Sequence, residues 1–448
     1  MTDYLDRLVG WAAAQRPETL PADALAAARL VLLDTLGAIL AGSALPENAA
    51  LARLAARRCP AGGSALLGHG GRADAPWAAL VNATAGVALE VDEGNRLGGG
   101  HPAIHTVPGA LAVAEERRSD GRRLLQALVT GYEIGSRIGS ATTPRPDVHS
   151  HGTWGAIATA VAVATLEDTD ATALRAIVNL AASMSPANTW TPALRGATVR
   201  NLYPGRSAWQ GILAVDLHHC GFTGLADAPS DVYGTILAER FEPHLALLGL
   251  GERCRIQQNY FKLHACCRFT HFALEAVLGL ARRHAVAADQ VARVRVTTIP
   301  FGLRMADVDP DGRLAAKFSI PYAVAAALVL GHAEVGAFES PALDDPRIRD
   351  LARRVAVDAD PEMSPRRADY PTARVSLVLR DGRVLEQSTG VVRGDATDPV
   401  PAEAVVAKFR QLADPVLGDA RARQVADLIQ EVDGLKDVGD LTALLVPA

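Results

Sequence analysis

Several stretches of this sequence concentrate the residue types that move protons and hold carboxylates. In GVALEVDEGNRLGGGHPAIHTVPGA, Glu90, Asp92 and Glu93 lead through Gly98, Gly99 and Gly100 to His101-Pro102. A carboxylate can orient an imidazole for proton transfer, and consecutive glycines let the backbone approach a ligand closely. A helix expected to start near Pro108 would add free N–H groups for an anion. The plainer alternative is a turn with a solvated acidic helix end and a surface histidine. In PDVHSHGTWGAIA, His149 and His151 precede a helix of small residues. Two imidazoles could then face one pocket, and their spacing suits a metal only in an extended segment. Alternatively, one histidine caps the helix and the other is on the surface.

ATVRNLYPGRSAWQG carries Arg200, Tyr203 and Arg206, whose guanidinium forks match a carboxylate, although surface arginines are the commoner case. NYFKLHACCRFTH crowds Lys262, His264, Arg268 and His271 around Cys266 and Cys267. The two thiols fit core filling better than nucleophilic catalysis. AAKFSIPYAVAAALVLG sets Lys317 and Tyr322 near a helix start, where Tyr322 either donates a proton or packs. GxxxxGK[ST], GxSxG and HExxH strings do not occur, so nucleotide, acyl-serine and zincin readings lose their usual support.

The elements that must position these residues follow from composition and period. A chain of 448 residues exceeds one ordinary core, so two domains are expected. Hydrophobic residues make up 49% and aromatics only 5%, and the abundance of alanine favours tight helix packing. Helices are expected at 22–40, 76–90, 107–117, 122–139, 153–166, 171–184 and 206–220. After about residue 265 the texture changes: 291–299 and 373–389 alternate apolar and polar residues, with Asp381-Gly382 as a hairpin turn. Helices at 269–284 and 321–331 lie between them, and helices return at 402–413 and 420–433. The expected fold is mainly α. A helical domain, 1–265, is completed by C-terminal helices, 395–448, and a smaller α+β domain, 266–394, is inserted between them. A cleft at their junction is the natural ligand site.

With 45 basic against 50 acidic residues and a net charge of −5, neither sign forms a block that could track a phosphate backbone, so nucleic acid is not an expected partner. Residues 148–166 lack Asp, Glu, Lys and Arg, but their Ala, Gly and Thr content and two histidines suit a buried helix better than a membrane span. The N-terminus has acids before any apolar run, which makes the cytoplasm the default location. Five cysteines without a CxxC pair indicate reduced thiols and no iron–sulfur ligand set.

Taken in order, DEGN…GGGHPAIH…P, HSHGTWGA, VRNLYPG, KLHACCRFTH and AKFSIPYAVAAAL resemble the MmgE/PrpD family of 2-methylcitrate dehydratases, cis-aconitate decarboxylases and iminodisuccinate epimerases. The resemblance implies a homodimer, a helical domain with an α+β lid, and a pocket at their junction that needs no cofactor or metal. It makes His101, His149, His271 and Tyr322 the catalytic set, with Glu90, Asn95, Arg200, Lys262 and Arg268 binding a polycarboxylate. Glu90 stands where the family often has Asp, Arg200 where decarboxylase-like members have Lys, and Gly94 or Asn95 where it has Thr. Dehydration of a 2-methylcitrate-like hydroxy acid therefore ranks first, ahead of decarboxylation and of epimerisation or isomerisation. A catalytically silent carboxylate-binding member, and a metal hydrolase built on His149, His151 and an acid, are the rivals from other classes.

Overall fold

Alanine, glycine and threonine line the helix faces that meet each other, and close packing is the consequence. In this computed structural model, which describes residues 3–364 and 372–447, the helices Ala22–Ser43, Ala75–Val87, Pro102–Glu116, Gly121–Ala141, Gly155–Leu166, Ala171–Ser183 and Leu202–His219 form one packed bundle. Gly155–Leu166 is buried almost all round and touches four of the others. Small residues make that possible. At both Gly131 and Gly211 an added Cβ would come 2.5 Å from its neighbour, Ala158 O in one case and Thr159 Cβ in the other, so a larger residue would push the helices apart.

Ala22–Ser43 is long and apolar enough to cross a membrane by composition, but 67% of its most apolar window is buried inside the fold. It serves as a core helix, with Ala402–Leu417 packed along it. The helix expected to begin near Pro108 instead spans Pro102–Glu116, with Pro102 at its first turn and Pro108 inside. Proline at the first turn gives up an N–H that has no intrahelical partner anyway. Pro108 gives up one interior bond, and Gly109 beside it lets Thr159 approach to a distance that a Cβ would reduce to 2.4 Å.

The sheet has the order Val384–Thr389, Ala373–Leu379, Val291–Thr298, Val355–Ala359, antiparallel except for the last pair. Val291, Val294 and Val296 face inward while Arg293 and Arg295 look outward, the alternation that marks a strand with one buried face. Gly382 takes φ 91° in the hairpin turn. Helix Arg268–His284 packs on the sheet and against Ile320–Leu330.

Among the described residues two large apolar cores result, beside a small cluster of Phe272, Ala373 and Val392. One gathers the helices up to Phe261 together with Val405, Phe409, Val425 and Ile429 of the C-terminal helices Ala402–Leu417 and Asp419–Gln430. The other is built on residues between Ala265 and Leu379, and it also takes in Ala38, Ala88, Leu89, Val91, Ala193 and Leu412 from the helical part. The α+β segment is thus continuous in packing with the bundle.

Candidate active site

The junction between the two cores encloses a cavity of about 300 Å³. Its polar end is assembled from the segment joining Ala75–Val87 to Pro102–Glu116. Glu90 adopts φ 56°, a left-handed conformation unusual for a residue with a side chain. There its carboxylate meets Arg200 in an ion pair and accepts from Lys262 Nζ at 3.1 Å. Lys262 Nζ also lies 3.5 Å from Asp92 Oδ1. Burial works against the charged carboxylates, but Arg200 and Lys262 outweigh it for Glu90, and His101 and Lys262 for Asp92, so both are held below the usual carboxylate range. Burial opposes the Lys262 charge as well, and Glu90 and Asp92 reverse this, holding its pKa above the usual value.

His101 occupies the position just before Pro102, at the helix start. Its Nδ1 lies 2.8 Å from Asp92 Oδ2. Burial lowers its pKa, more than Asp92 raises it, so the imidazole is neutral near pH 7 and donates its Nδ1 proton to the carboxylate. Glu93, beneath the same turn, accepts from Ala103 N–H at 2.8 Å and from the Tyr132 hydroxyl at 3.0 Å. Burial pushes it up to about 8, which keeps it protonated at neutral pH.

His149 and His151 lie in the loop before Gly155–Leu166, tied down by the His149 N–H donating to Asn188 O at 2.8 Å. The His151 backbone N–H donates to His149 Nδ1 at 2.9 Å, which puts the His149 proton on Nε2. That Nε2 is buried and has no protein partner. His151 bridges the set, its ring centroid 4.4 Å from that of His101 and 4.9 Å from that of His149. Burial, reinforced by nearby cations, holds both loop histidines well below their usual pKa. His105 supports the arrangement from below, donating from Nδ1 to His101 O at 2.7 Å and accepting from Gly152 N–H at 3.0 Å.

Six of the nine residues expected at the site line this cavity: Glu90, Asn95, His101, His149, Arg200 and Arg268. Asn95 lines it with both ends of its amide already used, accepting from Gly98 N–H and donating to Arg255 O. It shapes the glycine loop. Arg268 pairs with Asp395 at 2.8 Å and lies over the Tyr260 ring.

The other three are not brought to the cavity. Lys262 lies beneath it, engaged by Glu90 and Asp92. His271 is fully buried one turn into Arg268–His284, with its Nε2–H donating to Cys266 O at 3.1 Å. Tyr322 faces the α+β core, where its hydroxyl donates to Ala337 O at 2.9 Å and its ring meets Phe338. Neither Tyr322 nor His271 lines the cavity in this structure; the Tyr322 hydroxyl and His271 Nε2 are engaged by backbone carbonyls, while His271 Nδ1 is buried without a protein partner.

Sequence reasoning had not singled out Trp190, Tyr260, Phe269, Phe301 or Phe318, which form the apolar side of the cavity. Only their scarcity in an aromatic-poor chain could have signalled them. Among the described residues, Asp92, His101 and His151 place one ligand atom each within 4.8 Å of one another, a grouping that could hold a metal ion. The Lys262 ammonium beside Asp92 competes for that carboxylate and disfavours a second cation.

A model of the MmgE/PrpD N-terminal domain matches residues 6–238, and one of the MmgE/PrpD C-terminal domain matches residues 264–433. The chain belongs to the MmgE/PrpD family. Among its curated relatives, a cis-aconitate decarboxylase of Aspergillus terreus is 24% identical over 97% of this chain and 94% of its own length. A cis-aconitate decarboxylase-like protein of Aspergillus oryzae is 25% identical over 98% and 96%. The cis-aconitate decarboxylase of Mus musculus is 25% identical over 82% and 78%. The two MmgE/PrpD models together cover most of the chain.

Proposed function

We propose that this chain is a lyase that works without a cofactor on a small di- or tricarboxylic acid, with loss of CO₂ now ranked ahead of loss of water. The single observation that carries the reading is the opposed protonation of two imidazoles at one cavity. His101 keeps its proton on Nδ1, which donates a hydrogen bond to Asp92, and so presents Nε2 as a base, whereas His149 accepts at Nδ1 and so presents Nε2–H as a donor. Dehydration uses both nitrogens, and decarboxylation uses the donor. In decarboxylation the C–C bond breaks, the electron pair remains on carbon beside the second carboxylate, and a donor proton ends the step. In dehydration His101 Nε2 takes the α-proton and passes it to the departing hydroxyl, which leaves as water, while the neutral His149 Nε2–H hydrogen-bonds that oxygen. Arg200, buried beside Glu90, is the cation best placed to hold the carboxylate on which charge develops.

The named relatives favour decarboxylation, while Arg200 in the place of a lysine supports keeping dehydration as the second reading. Purified protein incubated with cis-aconitate, 2-methylcitrate, citrate and iminodisuccinate in deuterium oxide and followed by proton NMR separates CO₂ loss, water loss and proton exchange. Absence of all three from these compounds and from a substituted succinate tested beside them would remove the proposal. We also propose a homodimer, supported by the exposed Trp209 and Leu213, one turn apart on Leu202–His219, and sedimentation tests it.

A further inference from the structure

Aromatic residues are scarce in this chain, yet six of its twenty-one, Trp190, Tyr260, Phe269, Phe272, Phe301 and Phe318, line this single cavity. Three of them form a continuous surface that begins at the candidate acid. His149 stacks on Trp190 at 3.8 Å, Trp190 meets Phe301 at 4.7 Å, and Phe301 meets Phe269 at 5.4 Å. All three keep part of their surface uncovered by protein. A carboxylate laid against the ring faces of Phe301 and Phe269 would lose its water and gain no hydrogen bond from them.

The charges point the same way. Among the described residues, the buried cations that line or underlie the cavity are matched one for one, Arg200 with Glu90, Lys262 with Asp92 and Arg268 with Asp395. Each further ligand carboxylate must share a cation that already has a partner, which favours two carboxylates over three.

We propose that the preferred substrate is a dicarboxylate bearing an apolar group, aryl or branched alkyl, that lies against Trp190, Phe301 and Phe269 where a tricarboxylate would carry its third carboxylate. This rests on reading the cavity as a carboxylate site, and the test keeps the two apart. 2-Benzylsuccinate and tricarballylate share a succinate core and differ in having a phenyl group or a third carboxylate. Calorimetric titration of the full-length protein with each is expected to show benzylsuccinate binding at least tenfold more tightly, and Phe301→Ala to abolish that preference. Equal binding, or tighter binding of tricarballylate, overturns the proposal and leaves the carboxylate site standing. Failure of both compounds to bind overturns the carboxylate site itself, and the proposal with it. The comparison on the unaltered protein decides the matter even if Phe301→Ala does not fold.

Discussion

Asp92 Oδ2 lies 2.8 Å from Nδ1 of His101, and this contact determines which imidazole nitrogen is left basic. Asp92→Asn replaces an obligate acceptor with an amide that can also donate, so the ring is free to adopt the other tautomer. Turnover should fall by about a hundredfold or more. Asp92 also raises the His101 pKa against the larger effect of burial. Its removal should therefore move the acid limb of the kcat/KM profile to lower pH. An unmoved limb together with a loss below tenfold would show that His101 is not the base.

The four residues first expected to be catalytic should separate into two classes. His101→Ala and His149→Ala should each reduce turnover by roughly 10²- to 10⁴-fold with little change in melting temperature. Tyr322→Phe removes a buried hydrogen bond to Ala337 O and should cost about 1 kcal/mol of stability while turnover stays within threefold. Kinetics and thermal melts on the same preparations check both. A large kinetic defect in Tyr322→Phe would mean that its hydroxyl reaches substrate after all.

That split shows what the sequence carried. The helices, the hairpin at Asp381-Gly382 and the recurrence of His101 and His149 at one site were legible, because period-3.6 and period-2 patterns and short polar motifs are local signals. The strand Val355–Ala359 was missed because it is short and is defined by parallel pairing with Val291–Thr298. Tyr322, His271 and Lys262 lie outside the cavity lining, and the partners that hold them there, Ala337 O, Cys266 O and the carboxylates of Glu90 and Asp92, are set by the fold and not by their own residue types. Trp190 and Phe301 become neighbours only in the fold.

Stability should depend on pH through the same histidines. Burial lowers the pKa of His101, His105, His149, His151 and His271, with His105 at about 4. Below the ordinary histidine value the unfolded chain binds protons that the folded chain refuses, so stability falls as pH falls from about 6.5, by up to about 1.4 kcal/mol per unit for each histidine. Glu93, at about 8, acts in the opposite sense: its contribution is full below the ordinary glutamate value and is lost as pH rises through 8. Melting temperatures recorded from pH 4.5 to 8.5 should peak near neutrality and drop steeply on the acid side. A flat acid side would mean that the buried imidazoles are protonated in the folded state.

Lys262 separates a structural from a substrate-binding cation most cleanly. It lies beneath the cavity, with Glu90 at 3.1 Å and Asp92 at 3.5 Å as its partners. Lys262→Met leaves two buried carboxylates short of one counter-charge, a change that typically costs about 3–5 kcal/mol. Without the ammonium, the folded-state pKa of both carboxylates should rise. The folded variant then binds protons that the unfolded chain does not, so its deficit should be greatest at neutral pH and shrink as pH falls toward 5. Denaturant unfolding of both proteins at pH 7 and pH 5 measures this directly. A variant that melts like the parent at both pH values but shows a KM raised tenfold or more would instead make Lys262 a direct carboxylate clamp, and the cavity floor would have to open on binding.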